Sequence, residues 1–111
     1  MEEFDKKYYK IKDVAEILSV PPSTLRYWES EFPEISPRRS GTNRRYYTPD
    51  DIRILRIVRY LLKDKGLRMD AAKREFAANR RNLSRRVEAI DLLEKTRGEL
   101  DDMLAALKRR K

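Results

Sequence analysis

The sequence predicts a mostly α fold: a helix-turn-helix with a small β-hairpin beside it, followed by one long C-terminal helix. Three observations predict it. Apolar residues recur at helical spacing over about residues 12–18 and again over 25–32, with a Val-Pro-Pro break between the two runs. The segment from Arg38 to Tyr47 has Ser-Gly-Thr-Asn at its centre and flanks suited to short strands. From Leu83 onward, Leu and Ile recur in a heptad pattern.

Each element follows from its residues. Tyr8, Tyr9 and Ile11 form an apolar lead-in, and Val14, Ala15, Ile17 and Leu18 give the first helix its stripe. Pro21 cannot continue that helix, whereas Pro22 suits the first position of the next, where its missing N–H costs nothing. Leu25, Trp28 and Phe32 share one face of this second helix and would pack on the first. Pro33 and Pro37 end the pattern before the hairpin. Thr48-Pro49-Asp50-Asp51 is a strong helix start: a capping hydroxyl, a proline at the first position, and two carboxylates at the positive end of the dipole. Ile52, Leu55, Val58 or Ile57, Leu61 and Leu62 line that third helix, and Gly66 stops it. A shorter helix with Met69, Ala72 and Phe76 inward ends near Asn79.

The last segment, about 83–110, reads as a helix roughly 40 Å long at 1.5 Å per residue. With Leu83, Ile90, Arg97 and Leu104 at heptad position a, Arg86, Leu93, Leu100 and Leu107 fall at d. An apolar seam on an overhanging helix predicts pairing with a second copy. Arg97 on the seam disfavours a parallel pair, where like charges meet; an antiparallel coiled coil relieves this. Gly98 weakens the helix by about 1 kcal/mol relative to Ala. The expected division is a winged helix-turn-helix domain over 1–80 and a dimerisation helix over 83–111. The competing expectation is a helix folded back on its own domain.

Composition narrows the function. The 111 residues include 27 Lys and Arg against 19 Asp and Glu, a net charge of +8. Such a surplus favours polyanions, nucleic acid ahead of an anionic membrane surface. The chain has no Cys and no His. Disulfides, thiolate or imidazole metal sites, Cys nucleophiles and His general bases are thereby excluded. Asp50 with Asp51 and Asp101 with Asp102 are sequence neighbours, and adjacent helical side chains do not face each other. The expectation is therefore a protein that is not an enzyme and that needs no cofactor and no metal. No run approaches the ~18 apolar residues of a membrane span, and the acidic start Met-Glu-Glu-Phe-Asp is not a signal peptide. The expected location is the cytoplasm, on the nucleoid.

Arg and aromatic residues coincide in two places. The second helix opens with Ser23, Thr24, Arg26 and Tyr27, and a recognition helix presents such N-terminal residues to the major groove. Arg26 suits a base or phosphate contact, Thr24 a thymine methyl or a phosphate, and the Tyr27 hydroxyl a phosphate oxygen. Trp28 reads as core. The hairpin arms hold Arg38, Arg39, Arg44 and Arg45, with Tyr46 beside them and no acid, which suits a wing on the flanking backbone. A weaker strip, Arg53, Arg56, Arg59 and Lys63, fits phosphates and a solvated helix face equally well.

Taken in order, these pieces resemble the MerR family of transcriptional regulators. The matching text is Tyr9-Lys10-Ile11-Lys12-Asp13-Val14-Ala15, then Val20-Pro21-Pro22-Ser23-Thr24-Leu25-Arg26-Tyr27-Trp28-Glu29, then Arg44-Arg45-Tyr46, Thr48-Pro49-Asp50-Asp51-Ile52 and Lys65-Gly66-Leu67. It covers about residues 8–77 and is most like short members without an effector domain. The resemblance implies a bacterial homodimer joined through an antiparallel C-terminal coiled coil. It implies a pseudo-palindromic operator in double-stranded DNA, read by one recognition helix over about 22–30 and one wing over about 38–46 per half-site. It also implies action at a promoter, where the duplex is distorted so that RNA polymerase can engage it. Thr24, Arg26 and Tyr27 carry over as recognition-helix contacts, and Arg44, Arg45 and Tyr46 as wing contacts. On the seam, Leu83, Ile90, Leu93, Arg97, Leu100, Leu104 and Leu107 are the dimerisation residues.

The chain departs from the family pattern in four ways. Pro21 stands where relatives often have a capping Ser, Ser23 stands where they often have Arg, and the chain carries neither the sensing Cys nor an appended ligand domain. Control by abundance, by a partner protein, or by a further part of a longer chain is then expected. Two other readings stand beside the regulator: an architectural or excisionase-like recombination accessory protein, and an adaptor docking on an acidic protein surface.

Overall fold

Strand β1 (Tyr9–Lys10) leads directly into α1 (Ile11–Leu18), and α2 (Pro22–Glu31) follows after three residues. The chain then runs through β2 (Arg38–Arg39), β3 (Arg45–Tyr47), α3 (Pro49–Arg59), a π-helical turn over Tyr60–Asp64, and α4 (Met69–Arg109). This computed structural model describes residues 8–39, 41 and 44–110. Ser40, Thr42 and Asn43 of the expected hairpin turn lie outside them, as does the acidic start of the chain.

The fold is mostly helical, with a small antiparallel sheet in the order β1-β3-β2. The expected hairpin is β2 with β3, pairing Arg38 with Tyr46 and Arg39 with Arg45. The lead-in is more than apolar packing: it is a third strand, pairing Tyr9 with Tyr47 and Lys10 with Tyr46. A two-residue strand carries too little periodicity to be seen in sequence.

The helix-turn-helix turns at Ser19, which adopts a left-handed conformation (φ 57°) and donates its amide to the Glu16 carbonyl. Pro21 then precedes α2 without a side-chain cap; its carbonyl accepts from the amides of Thr24 and Leu25 at 3.0 and 3.3 Å. Leu25, Trp28 and Phe32 are buried on one face, as their spacing predicts.

Helix α3 begins on a full capping box. The Thr48 hydroxyl accepts from the Asp51 amide, and the Asp51 carboxylate accepts from the Thr48 amide at 3.1 Å. Asp51 is itself buried, and its other oxygen accepts from the Ser36 amide at 3.1 Å. One carboxylate thus starts the helix and ties down the segment between α2 and the hairpin. Gly66 has φ +71°, the left-handed conformation a helix stop requires, and the Leu67 amide closes back on the Leu61 carbonyl at 2.9 Å.

Two helices were expected after Gly66, and α4 consists of two helical stretches that meet in a kink. Asn79 alone leaves helical geometry (φ −131°, ψ 29°), where the shorter helix was expected to end. The bend lays the following turns along α3. Leu83 and Val87 enter the same core as Phe32, Leu55 and Phe76. Asp91 pairs with Arg56 of α3, and Arg86 donates to the Tyr60 hydroxyl at 3.3 Å. Leu83, expected on the dimer seam, is thus used by its own domain, whose packing runs past residue 80. The heptad pattern reaches back over Leu83 because periodicity does not register the bend that brings this stretch onto α3. Glu94 still borders a cleft with Leu18, Arg56 and Arg59, and beyond it every described residue of the helix is exposed. Leu92, Leu93, Leu100, Met103, Leu104 and Leu107 are all more than half exposed. No helix of the described residues is long and apolar enough to cross a membrane.

Candidate nucleic-acid interface

Helix α2 buries Leu25 and Trp28 and turns its other side outward. Ser23, Arg26 and Tyr27 are exposed, Tyr27 by 53%, and Thr24 is half-buried. The Trp28 side chain belongs to the core and the Tyr27 ring to the surface, as the 3.6-residue period requires. The Ser30 hydroxyl donates to the Tyr27 carbonyl at 2.6 Å, within the same helix.

The hairpin lies against this helix through one residue that sequence reasoning did not single out. The Glu29 carboxylate accepts from the Arg45 Nε at 3.1 Å and from the Tyr47 hydroxyl at 3.0 Å, while an Arg39 nitrogen lies 3.9 Å away. Arg39 and Arg45 are cross-strand neighbours, so one carboxylate faces both arms of the hairpin. Burial of its ring, with Glu29 beside it, pushes the Tyr47 phenol well above its ordinary value; the nearby Arg45 and Arg26 oppose this. The available signal for Glu29 was that it is the single acidic residue across 22–30 and 38–46.

This divides the expected wing residues. Arg38, Arg39 and Arg44 are exposed, whereas Arg45 and Tyr46 are half-buried. Arg45 is engaged with Glu29 and so holds the hairpin to the helix, beyond what its position as a wing residue suggested. Tyr8, Arg38, Arg39 and Tyr46 line a shallow groove of about 270 Å³ on the outer side of the sheet, where aromatic and cationic groups alternate. The strip on α3 is not a uniform cationic row. Arg53 pairs with Asp50 at 2.5 Å, Arg56 with Asp91, and Arg59 donates to the Leu18 carbonyl at 2.7 Å. Of that strip, Arg56 and Arg59 have structural tasks.

A helix-turn-helix whose second helix presents Ser23, Arg26 and Tyr27 beside an arginine-bearing hairpin defines a class, the winged helix-turn-helix DNA-binding regulators. The profile of the MerR HTH family of regulatory proteins matches residues 9–79. The chain belongs to that family. Its fold is similar to a MerR-family transcriptional regulator from Bacillus cereus, with a TM-score of 0.56 and 17% identity over 92% of this chain and 78% of the other. A MerR-family transcriptional regulator from Bacillus thuringiensis is similar at a TM-score of 0.50 and 21% identity, over 92% of this chain and 98% of the other. No curated protein sequence matches the chain.

Proposed function

We propose that this protein is a dimeric, sequence-specific transcription regulator that reads a pseudo-palindromic site in double-stranded DNA. The observation that carries the reading is the joining of the exposed α2 face to the basic hairpin through Glu29, which makes helix and wing one surface. Ser23, Thr24, Arg26 and Tyr27 would address base edges and nearby phosphates, while Arg38, Arg39, Arg44 and Tyr46 grip the flanking backbone. Arg45 joins them from its place against Glu29.

The end of α4 supplies the second copy's docking surface. At 100° per residue, the core-facing positions Leu83 and Val87 lie on a different side of the helix from Leu93, Leu100, Leu104 and Leu107. The helix therefore has two apolar stripes, one covered by its own domain and one uncovered. An antiparallel pair centred between Gly98 and Glu99 would set Ile90 against the partner's Leu107, Leu93 against the partner's Leu104, and Arg97 against the partner's Leu100. It also brings Arg109 level with the partner's Glu88. A parallel pair would instead stack the basic turns. The working division is a reading domain whose packing extends through Val87 and a pairing helix beyond it. Family membership supports promoter sites and RNA polymerase as a further partner.

The test is selection of bound duplexes from a random pool at near-physiological salt. The expected result is an enriched inverted repeat. Binding without enrichment would replace the regulator with an architectural protein, and no binding would point to a protein partner.

A further inference from the structure

Glu29 presents a physical problem that the reading above leaves open. Its carboxylate is 14% exposed and sits among Arg39, Arg45 and the Tyr47 hydroxyl, with the Arg26 charge close enough to act on the same phenol. A negative charge at the junction of two DNA-facing elements repels every phosphate, whatever the base sequence. It also neutralises part of the wing: Arg45 has only 23% of its side chain exposed and directs its Nε to Glu29. For a protein that merely clung to DNA, this residue would be a cost without return.

The return is geometric. The β2–β3 ladder is only two residue pairs long, too short to hold its own orientation. A carboxylate accepting from both a guanidinium and a phenol on the same strand removes rotational freedom from that strand, and charge-assisted bonds of this kind are the stronger ones. We propose that Glu29 is a positioning residue for specificity: it lowers affinity for duplex in general and fixes the wing against the recognition helix, so that only a duplex of matching groove geometry engages both. This rests on the DNA-reading function proposed above.

The test uses Glu29→Gln, which keeps the shape and removes the charge. In the free protein, amide exchange of Arg39, Arg45 and Tyr47 should quicken by about tenfold as the wing loosens. Affinity for random duplex at low salt should rise by roughly two- to fivefold, with a steeper salt dependence. Affinity for the selected site should fall by about tenfold, because the oriented contacts are lost. Tyr47→Phe removes one bond without changing charge, and serves should Glu29→Gln fail to fold. It should quicken wing exchange and weaken the selected site while leaving random duplex unchanged. Unchanged wing exchange in both variants would overturn the proposal, as would a parallel loss of both affinities in Glu29→Gln. If the wild-type protein bound no duplex, the DNA reading itself would fall; the exchange measurement would still decide whether Glu29 holds the wing.

Discussion

The Arg59 guanidinium donates to the main-chain carbonyl of Leu18 at 2.7 Å, joining the end of α3 to the end of α1. The last carbonyls of a helix have no partner within it, and the negative end of the helix dipole favours a cation there. Arg59 supplies both, at the mouth of the turn that aims α2. Arg59→Met retains the aliphatic stem and removes the donor. It should lower stability by about 1–2 kcal/mol in denaturant unfolding. A change within error would mean that water replaces the guanidinium without loss.

Asp51 does more than its partner in the capping box. Thr48→Ala removes one cap and should cost about 1 kcal/mol. Asp51→Ala leaves the Thr48 and Ser36 amides without their acceptor and should cost about 2–3 kcal/mol. Paired thermal melts decide the order; equal losses would show that the Ser36 link contributes nothing.

Tyr47 makes stability depend on alkaline pH. Its phenol ionises at higher pH in the folded protein than in the unfolded chain, because burial and Glu29 disfavour the phenolate. The unfolded chain therefore releases this proton first. The contribution is fully present below the unfolded phenol value, about 10, and is lost as pH rises above it. Denaturant unfolding between pH 8 and pH 11 should show a falling slope that is shallower in Tyr47→Phe. Identical slopes would show that Tyr47 titrates normally.

Arg26 projects from the exposed side of α2. If it makes a bidentate base contact, Arg26→Ala should lower specific affinity by about 1–3 kcal/mol and relax the preference at one base pair. Quantitative binding to single-substituted sites measures this. Uniform weakening across all of them would reassign Arg26 to a phosphate.

The two stripes of α4 should separate on mutation. Leu83→Ala, in the core, should cost about 2–4 kcal/mol of domain stability. Leu93→Asp with Leu100→Asp, on side chains 69% and 55% exposed, should leave the domain melt in place and yield monomers by sedimentation. A persistent dimer would remove the seam assignment.

Much of this architecture is legible in the sequence. The Pro21-Pro22 break, the 3.6-residue stripes, the Thr48-Pro49-Asp50-Asp51 start and the Gly66 stop are local signals, set by φ restriction, missing donors and side-chain capping within a few residues. They delimit α1, α2 and α3, and the same period separates core Trp28 from surface Tyr27. Residue types and net charge likewise point to a nucleic-acid face. What only the tertiary structure decided is which long-range partner each charged or apolar group meets. Strand β1 exists because β3 offers it a ladder, and Arg45 faces Glu29 because the hairpin folds onto α2. Arg56 and Arg59 are tied to Asp91 and Leu18, 35 and 41 residues away. Leu83 obeys the same heptad as Leu93, yet one is core and the other exposed. The difference is the bend at Asn79, which lays one stretch of α4 on α3 and leaves the next beyond the domain's reach. Periodicity states which side of a helix is apolar; only packing determines what covers it.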